Sequence, residues 1–512
     1  MTETRQPRKL LGYTGRDAVL ALQHMFAMLG ATITVPMLTG MSIPLALISA
    51  GVGTIIFYFC TKRKVPVFLG SSFAFLPPLT AMLSGAGYTL GDEGYDPRAL
   101  AVMLALVCAG LVYVLLSVII KLVGVQRVKK LFPPIVVGPV IIVIGMNLAG
   151  TAFTSNIFGQ YDVGGGTAWG WQVWTSAIGT ALTIVVVNAV AKPKSFFKVV
   201  PILVGFVVGY LYSIILSICP VPDGYSKLID FSTFFSGDVI VFQQASTIWG
   251  FWGAWGDLDG ALVGTAMLAT VPLAIVTFME HLGDISANSV VCNKDFMVDP
   301  GLHRTVLGDG LGTMASAFLG GPANTTYGEN TAVLAITKNY NPRNIFLAAV
   351  FAIVLGLFIP FGEILEHMPP SVVGGASLIL YGMISANGLR ALVDSRTDFS
   401  DAKNMLVVSI TLSVGLGLNV ASVAGYSIAI GNVSISSLAI CTVLAIVLNL
   451  VIPNTKKTSP EREEAEENTG ISLVPHEADI AAEMAEESAE AKVCDTDGVP
   501  TDAPAPEEKK EE

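Results

Sequence analysis

The chain has 512 residues, of which 52% are hydrophobic and only 13% are charged. A soluble domain of this size would carry about twice that charged fraction, so the composition excludes a soluble globular protein and indicates a polytopic membrane protein. The formal net charge of −11 comes from an acidic C-terminal segment and gives no reason to expect a nucleic-acid partner.

A polar, basic N-terminus at 1–17 lacks a signal-peptide pattern and precedes fourteen apolar segments, numbered spans 1 to 14. The spans are 18–38, 43–60, 65–82, 98–121, 131–150, 173–191, 198–218, 261–282, 302–319, 325–338, 344–361, 370–388, 404–421 and 428–452. Lys and Arg are concentrated in alternate links, which predicts that both termini are cytoplasmic. Residues 453–512 are predicted to be an acidic, disordered tail.

Three pairs of motifs recur seven spans apart. Gln23-His24-Met25 in span 1 pairs with Glu280-His281-Leu282 in span 8, and similar Pro-Pro motifs open spans 5 and 12. Spans 3 and 10 are both interrupted, at 68–78 and at 320–330. Because seven is odd, the two halves enter the membrane in opposite directions. This predicts an inverted repeat with its substrate where the broken helices meet.

Glu329 lies in the broken segment of span 10, after Gly320-Gly321-Pro322. A carboxylate at membrane depth costs several kcal/mol unless it is used there, and broken backbone is tolerated there only beside a cavity. From Glu329 to Lys338 the pattern predicts a half-helix about 15 Å long, with its N-terminus near the bilayer midplane. Glu329 would accept two N–H donors from a planar cyclic amide or imide. The alternative is an ion pair with Lys338 or with a loop.

Span 8 carries two carboxylates, Glu280 and Asp284, four residues apart on one helical face. Two carboxylates this close in a low dielectric do not both stay ionised readily, so the pair is a candidate proton carrier. Alternatively, Asp284 is simply solvated near the cytoplasmic end of the span. His281 points away from Glu280 and is interpreted as a packing or supporting residue. His24 in span 1 is expected to bond across helices, for structure or for proton coupling.

Span 3 contains Gly70-Ser71-Ser72, which supplies small residues and hydroxyls at its break. If the segment is extended, Phe73 and Phe75 share a face and one of them could stack on a flat ligand. Ordinary packing of both rings is the alternative.

Other polar positions have plainer interpretations. Asn147, Asn387 and Asn419 are of the kind that joins transmembrane helices, and the glycines at 308–312 permit tight helix packing. The scattered cysteines and histidines predict no disulfide framework and no metal site. Without a Walker motif, triad or cofactor motif, an enzyme is not expected.

These motifs resemble the nucleobase/ascorbate transporter family (nucleobase:cation symporter-2), most closely its bacterial uracil permeases. The resemblance covers about residues 15–452 and rests on the segments 70–75, 280–284 and 321–330, with the signature continuing to Lys338. It implies an all-α protein of fourteen spans in two inverted seven-span repeats, with short antiparallel strands in spans 3 and 10. A core domain (spans 1–4 and 8–11) would move against a gate domain (spans 5–7 and 12–14). Proton symport and a homodimer are also implied.

The resemblance also assigns roles to residues. Glu280 and Glu329 match the two substrate-binding glutamates of the family, while Phe73, Tyr327 and Gly328 match the wall of its binding site. Glu at position 329 resembles the pyrimidine-type members. There are two departures: Ala332 stands where the signature usually has Gly, and Asp284 stands where some uracil permeases carry a His coupled to protonation.

The expected function is therefore proton-coupled import of uracil across the cell (plasma) membrane by alternating access. Protonated Glu280 would donate to a uracil carbonyl and Glu329 would accept a ring N–H, while Asp284 and His24 are further candidates for proton coupling. No cofactor is expected. The alternatives are a permease for xanthine, urate or another purine and, less favoured by two glutamates in the site, an anion exchanger of related fold.

Overall fold

A computed structural model describes residues 13–84, 87–88, 90–92, 94–158, 168–192, 195–222, 224–229, 237–426, 428–430, 433–434 and 436–453. Within these ranges, the side chains at 129, 155, 199, 329, 429–430 and 433–434 lie outside the description. The predicted acidic tail begins at 453 and therefore lies outside the described residues except for its first position.

Nineteen α-helices and four short strands make up the described part of the chain. The first ten helices are α1 (Gly15–Thr39), α2 (Ile43–Cys60), α3 (Leu76–Met82), α4 (Tyr95–Val123), α5 (Val125–Leu131), α6 (Pro134–Thr151), α7 (Gly170–Val190), α8 (Phe196–Val199), α9 (Pro201–Ile218) and α10 (Ala245–Ile248). The others are α11 (Gly260–Thr270), α12 (Leu273–Cys292), α13 (Leu302–Leu319), α14 (Gly328–Thr337), α15 (Pro342–Leu357), α16 (Ile359–Glu366), α17 (Pro370–Asp394), α18 (Ala402–Val423) and α19 (Ser437–Val451). The strands are β1 (Leu69–Ser71), β2 (Asn324–Thr326), β3 (Ala429–Ile430) and β4 (Val433–Ser434).

Nine helical stretches among the described residues are long and apolar enough to cross a membrane. Most of the other predicted spans coincide with shorter or interrupted elements, such as α15 and α19, whereas span 9 coincides with α13, a helix of 18 residues. A polytopic, mostly helical fold is therefore confirmed, whereas the count of fourteen spans in an inverted repeat stays a prediction.

Several predicted boundaries are wrong. Span 8 was expected to end at 282, but α12 continues to Cys292, so Asp284 lies in the middle of a helix rather than near its end. Span 14 was expected from 428, but α19 begins at Ser437 after the β3–β4 hairpin. Phe73–Phe75 is a single 3-10 turn and not an extended segment, so the two rings do not share a strand face.

Polar side chains start several helices. The Thr14 hydroxyl accepts from the Asp17 backbone N–H at 3.3 Å, and the Asp17 carboxylate accepts from the Thr14 N–H at 2.8 Å, which closes a capping box on α1. Asn341 caps α15 just before a proline at its first position, and Asp401 caps α18. These caps fix the residues at which the helices begin.

The long helices pack in two groups. The first helix group contains α1, α2, α4, α11, α12, α13, α14 and α15. The second helix group contains α6, α7, α9, α17, α18 and α19. The groups touch each other where α12 meets α6 and α19 and where α1 meets α9.

Glycines allow close approach of backbones inside the second helix group. A Cβ added to Gly388 of α17 would lie 2.6 Å from the Gly138 carbonyl oxygen of α6. One added to Gly145 of α6 would overlap the Tyr381 carbonyl oxygen and the Ser385 side chain of α17. Small residues at such crossings maximise van der Waals packing between apolar helices, for which lipid supplies no hydrophobic driving force.

The glycines of α13 do the same in the first helix group. A Cβ on Gly308 would lie 2.9 Å from the Phe57 ring, and one on Gly310 would lie 2.5 Å from Tyr113 Cβ. A Cβ on Gly312 would lie 3.4 Å from the Gly53 backbone. The tight packing expected from the small residues at 308–312 is therefore confirmed.

A buried histidine–aspartate pair joins α12 to α13. His281 Nδ1 lies 2.8 Å from Asp309 Oδ2, and its Nε2 lies 3.0 Å from the Thr305 hydroxyl. Both side chains of the pair are at most 1% exposed. His281 is thus a supporting residue, as one interpretation of the sequence had it, and Asp309 is its partner. Sequence reasoning missed Asp309 because it stands within a glycine-rich packing motif.

We predict that Gly145→Ala lowers the free energy of unfolding by about 1–3 kcal/mol, because the methyl group overlaps α17. Gly150→Ala is the matched control on the same helix, since a Cβ there meets nothing within 4 Å. Denaturation of the purified protein in detergent measures both. Equal losses in the two variants would contradict the role of Gly145 in this crossing.

Asp309→Ala should cost roughly 2–4 kcal/mol, because it removes the partner of a fully buried imidazole. The control is Asp394→Ala, which breaks an exposed pair with Arg390 and should cost less than about 0.5 kcal/mol. Unfolding transitions of both variants give the comparison. A loss no larger for Asp309 than for Asp394 would show that the buried pair contributes nothing to stability.

Candidate substrate site

The two interrupted spans meet as a short antiparallel ladder. Strand β1 from span 3 pairs with β2 from span 10 in the register Leu69↔Thr326, Gly70↔Thr325 and Ser71↔Asn324. Two further backbone bonds extend the ladder: Ser72 N–H donates to the Ala323 carbonyl at 2.8 Å, and Tyr327 N–H donates to the Phe68 carbonyl at 3.1 Å. The antiparallel strands that the resemblance implied are thus present.

The sequence around β2 explains why the chain is extended there. Helix α13 ends at Leu319 because Gly320 adopts φ +85°, a left-handed conformation that glycine reaches without strain. Pro322 then disfavours helix in the residue before it. The Asn324 amide donates to the Ser49 carbonyl at 3.0 Å, and the Thr313 hydroxyl donates to the Asn324 carbonyl at 2.8 Å. These bonds attach the strand to α2 and α13.

Tyr327 lies directly on the ladder. A Cβ on Gly70 would be 2.5 Å from the Tyr327 ring, so only glycine fits at that position. The Tyr327 hydroxyl donates to the Ser71 carbonyl at 2.8 Å and lies 3.4 Å from the Thr32 hydroxyl of α1. With 4% of its surface exposed, the ring supports the strands, and its backbone leads into α14.

Helix α14 is a half-helix, as expected. It runs from Gly328 to Thr337, ten residues or about 15 Å. Its first N–H groups have no partner within the helix and carry the positive end of the helix dipole. Glu329 is in its first turn, but the Glu329 side chain lies outside the described residues, so its contacts stay a prediction.

One carboxylate of α12, that of Asp284, lies beside this helix start. Asp284 Oδ2 accepts a hydrogen bond from the Thr326 hydroxyl at 2.7 Å, which ties α12 to β2. Helix α12 also packs against α14, where the Asn288 amide lies 3.4 Å from the Thr331 hydroxyl. Glu280 is half-buried one turn before Asp284. The structure therefore brings Asp284 to the broken segment of span 10 and places Glu280 on the same helix.

His24 reaches the same segment from the opposite side. The Asn330 amide nitrogen lies 3.1 Å from the His24 carbonyl oxygen and 3.3 Å from His24 Nδ1. His24 is 1% exposed. Among the described side chains, His24 thus contacts Asn330, the residue after Glu329. The expected bond across helices is present, whereas proton coupling stays a prediction.

Phe73 lies between the two helix groups. Its ring is 5% exposed and packs edge to face against Tyr381 of α17, with 5.6 Å between ring centroids. The stacking of Phe73 on a ligand stays a prediction; what the structure gives is an aromatic contact between the broken span 3 and the second helix group.

Sequence reasoning missed the polar residues that hold this site together. Thr326 positions Asp284, Asn330 holds α1 to α14, and Asn288 joins α12 to the same half-helix. Thr326 and Asn330 lie inside the segment 321–330 that carries the family resemblance, but residue type alone does not show which neighbour each would contact.

The arrangement suits a small, flat, polar molecule. It combines the Asp284 carboxylate of α12 with backbone N–H donors at the start of α14, beside a ladder whose backbone groups are paired. Such a set of fixed donors and acceptors can match the alternating C=O and N–H groups of a cyclic amide.

Known proteins resemble this chain along most of its length. The uracil permease of Bacillus caldolyticus is 37% identical over 446 residues, which cover 86% of this chain and 92% of that protein. A probable uracil permease of Pasteurella multocida (strain Pm70) is 36% identical over 467 residues, covering 90% and 99%. The uracil permease of Escherichia coli (strain K12) is 32% identical over 459 residues, covering 89% and 96%.

Solved structures share the fold at low identity. The transmembrane domain of a cyanobacterium bicarbonate transporter, BicA, aligns with a TM-score of 0.51 at 13% identity, covering 85% of this chain and 97% of that one. SLC26A9 aligns with a TM-score of 0.57 at 13% identity, covering 87% of this chain and 66% of that one. At such identity the likeness shows a membrane-transporter fold and nothing about the substrate.

A family model described as "Permease family" matches residues 15–424, which include both broken spans and α12. Together with relatives more than 30% identical over most of their length, this match shows that the chain is an integral membrane transporter and belongs to this permease family.

Proposed function

We propose that the protein is a proton-coupled symporter that imports uracil across the cell membrane by alternating access. The observation that carries the proposal is the β1–β2 ladder with its Thr326–Asp284 bond, which joins both broken spans to the carboxylate-bearing helix α12. Relatives named uracil permeases support the choice of substrate.

Uracil presents two carbonyl oxygens and two ring N–H groups in one plane. In the proposed complex, the Glu329 carboxylate accepts ring N–H, and protonated Glu280 donates to a carbonyl oxygen. The bond to the ionised Glu329 carboxylate is charge-assisted, and such bonds are about twice as strong as neutral ones. Loss of the Glu280 proton on the inner side would turn a donor into an anion that repels the carbonyl, so the substrate would leave there.

The two helix groups provide the parts for alternating access. Their membership supports the proposal of a core (spans 1–4 and 8–11) and a gate (spans 5–7 and 12–14). In the proposed cycle the core carries the substrate past the gate as a rigid body, since the ladder and its buried bonds keep the broken spans together. Phe73 against Tyr381 is one contact that would change in this movement.

The remaining proposals concern protons, orientation and assembly. Asp284 and His24 are proposed to assist proton coupling because they lie on either side of α14, next to Thr326 and Asn330. The alternation of Lys and Arg in the links supports cytoplasmic termini. A homodimer in the lipid bilayer is proposed from the family resemblance.

We predict that Glu280→Gln and Glu329→Gln each reduce initial uptake of labelled uracil at least about 100-fold, since each removes a charge-assisted bond or the proton carrier. Uptake by cells with equal amounts of protein in the membrane measures this. Asp394→Asn, an exposed carboxylate paired with Arg390, is the control and should keep wild-type uptake. Uptake at the wild-type rate in both glutamate variants would contradict this mechanism.

Proton coupling makes a separate prediction. An uncoupler should abolish accumulation of uracil above equilibrium in the wild type while leaving exchange of uracil across the membrane measurable. Accumulation that survives the uncoupler would show that another driving force is used.

Ligand choice is tested on the purified protein. Uracil at about 100 times its Kd should stabilise the protein by about 2.7 kcal/mol, whereas xanthine and ascorbate should have smaller effects. The readout is the thermal unfolding temperature, with competition against labelled uracil uptake as the second measurement. A larger stabilisation by xanthine would assign the site to a purine. Nucleobase-independent electrical currents would favour an anion exchanger.

A further inference from the structure

The start of α14 has a neighbour in the second helix group. A methyl group placed on Gly328 would lie 3.5 Å from Asp284 Oδ1 and 3.7 Å from Asn387 Nδ2. Asp284 belongs to α12 and Asn387 to α17, so side chains from both helix groups border the same point in front of the half-helix.

Asp284 is held in a defined orientation there. Its Oδ2 accepts from Thr326, and this bond leaves Oδ1 on the side of Gly328. A carboxylate oxygen and an amide thus flank the helix start, one as an acceptor and the other as a donor. Adjacent acceptor and donor groups are the complement of the N–H and C=O edge of a cyclic amide.

Asn387 faces open space. It is exposed although the first seven residues of α17 that follow Pro370 are all buried. Met383, one turn before Asn387 on the same face of the helix, is also exposed. An amide at this depth beside apolar residues is costly unless something polar uses it.

We propose that Asn387 is a substrate-positioning residue, whose side-chain amide donates from the second helix group to a ring carbonyl oxygen of a pyrimidine nucleobase held at the start of α14. This inference rests on the proposed function and deepens it, since the glutamates and Asp284 all belong to the first helix group. Asn387 supplies the polar contact that lets the second group respond to the ligand.

A physical requirement supports this role. A ligand can shift a conformational equilibrium only by the difference in its interaction with the two states. Contacts made wholly within the first helix group move with the ligand and stay the same, whereas the contact from Asn387 forms or breaks as α17 approaches or leaves. Asn387 therefore couples occupancy of the site to the relative position of the two groups.

The test compares Asn387→Leu, which keeps the size of the side chain but removes the amide, with Asn387→Gln, which keeps the amide. Asn419→Leu is the matched control, because Asn419 lies on α18, which packs against α6 and α19. Expected results are a KM for uracil raised about tenfold in Asn387→Leu, partial recovery in Asn387→Gln and no change in Asn419→Leu.

A second readout identifies the bond. Pyrimidin-2-one and pyrimidin-4-one each lack one carbonyl of uracil, and their Kd values are measured on the purified proteins. If Asn387 donates to one carbonyl, Asn387→Leu should weaken the binding of uracil about tenfold. It should weaken the binding of the analogue without that carbonyl less than about twofold. A purely structural defect would weaken all three ligands equally.

The outcomes separate the two proposals. If Asn387→Leu binds uracil as tightly as the wild type does, with unchanged KM and unchanged selectivity, the role of Asn387 is overturned but the proposed function is not. Equal weakening of uracil and both analogues also overturns that role. Absence of uracil binding and uptake by the wild type overturns the proposed function and this inference together.

Discussion

The pairing of β1 with β2 is the interaction on which the rest of this structure depends. Backbone N–H and C=O groups that leave a helix at membrane depth find no water and must be bonded within the protein. Each broken span provides the missing partners of the other, through the ladder from Leu69 to Thr326 and its two flanking bonds. Neither break would be stable alone, so the site exists only where the two halves of the chain meet.

Small and polar residues then fix what surrounds the ladder. Gly70 leaves room for the Tyr327 ring, and Tyr327 in turn bonds to the Ser71 backbone. Asn324 and Thr313 attach β2 to the neighbouring helices, while the His281–Asp309 pair joins α12 to α13 behind it. Because each of these bonds is buried, a displacement of one helix would leave polar groups unpaired. The carboxylates of α12 are thereby held at a constant position relative to α14.

Local patterns predicted the elements better than they predicted the contacts between them. The half-helix after Tyr327 follows from Gly and Pro before it and an apolar run of half a bilayer after it. The length of α12 was missed because span 8 was expected to end at 282, whereas the polar residues beyond that point, Asp284 and Asn288, are bonded to span 10. Asp309 was missed for a related reason, and Asn387 was interpreted only as a residue that joins helices. A polar residue in an apolar helix indicates that a polar partner is present. Which residue that partner is depends on how helices far apart in sequence cross.

Two contacts between the helix groups differ in whether their energy depends on the substrate. The Phe73–Tyr381 contact is apolar and is made by protein side chains alone, so it contributes to the energy of one arrangement of the groups. The amide of Asn387 beside Gly328 is polar and faces open space, so its energy depends on what occupies the site. A transporter needs both kinds of contact: the first sets how stable the empty state is, and the second makes that stability depend on the substrate. Since the carboxylates proposed for the site lie on α12 and α14, both in the first helix group, this dependence on substrate has to come from a residue of the opposing group, and α17 presents such a residue next to the start of α14.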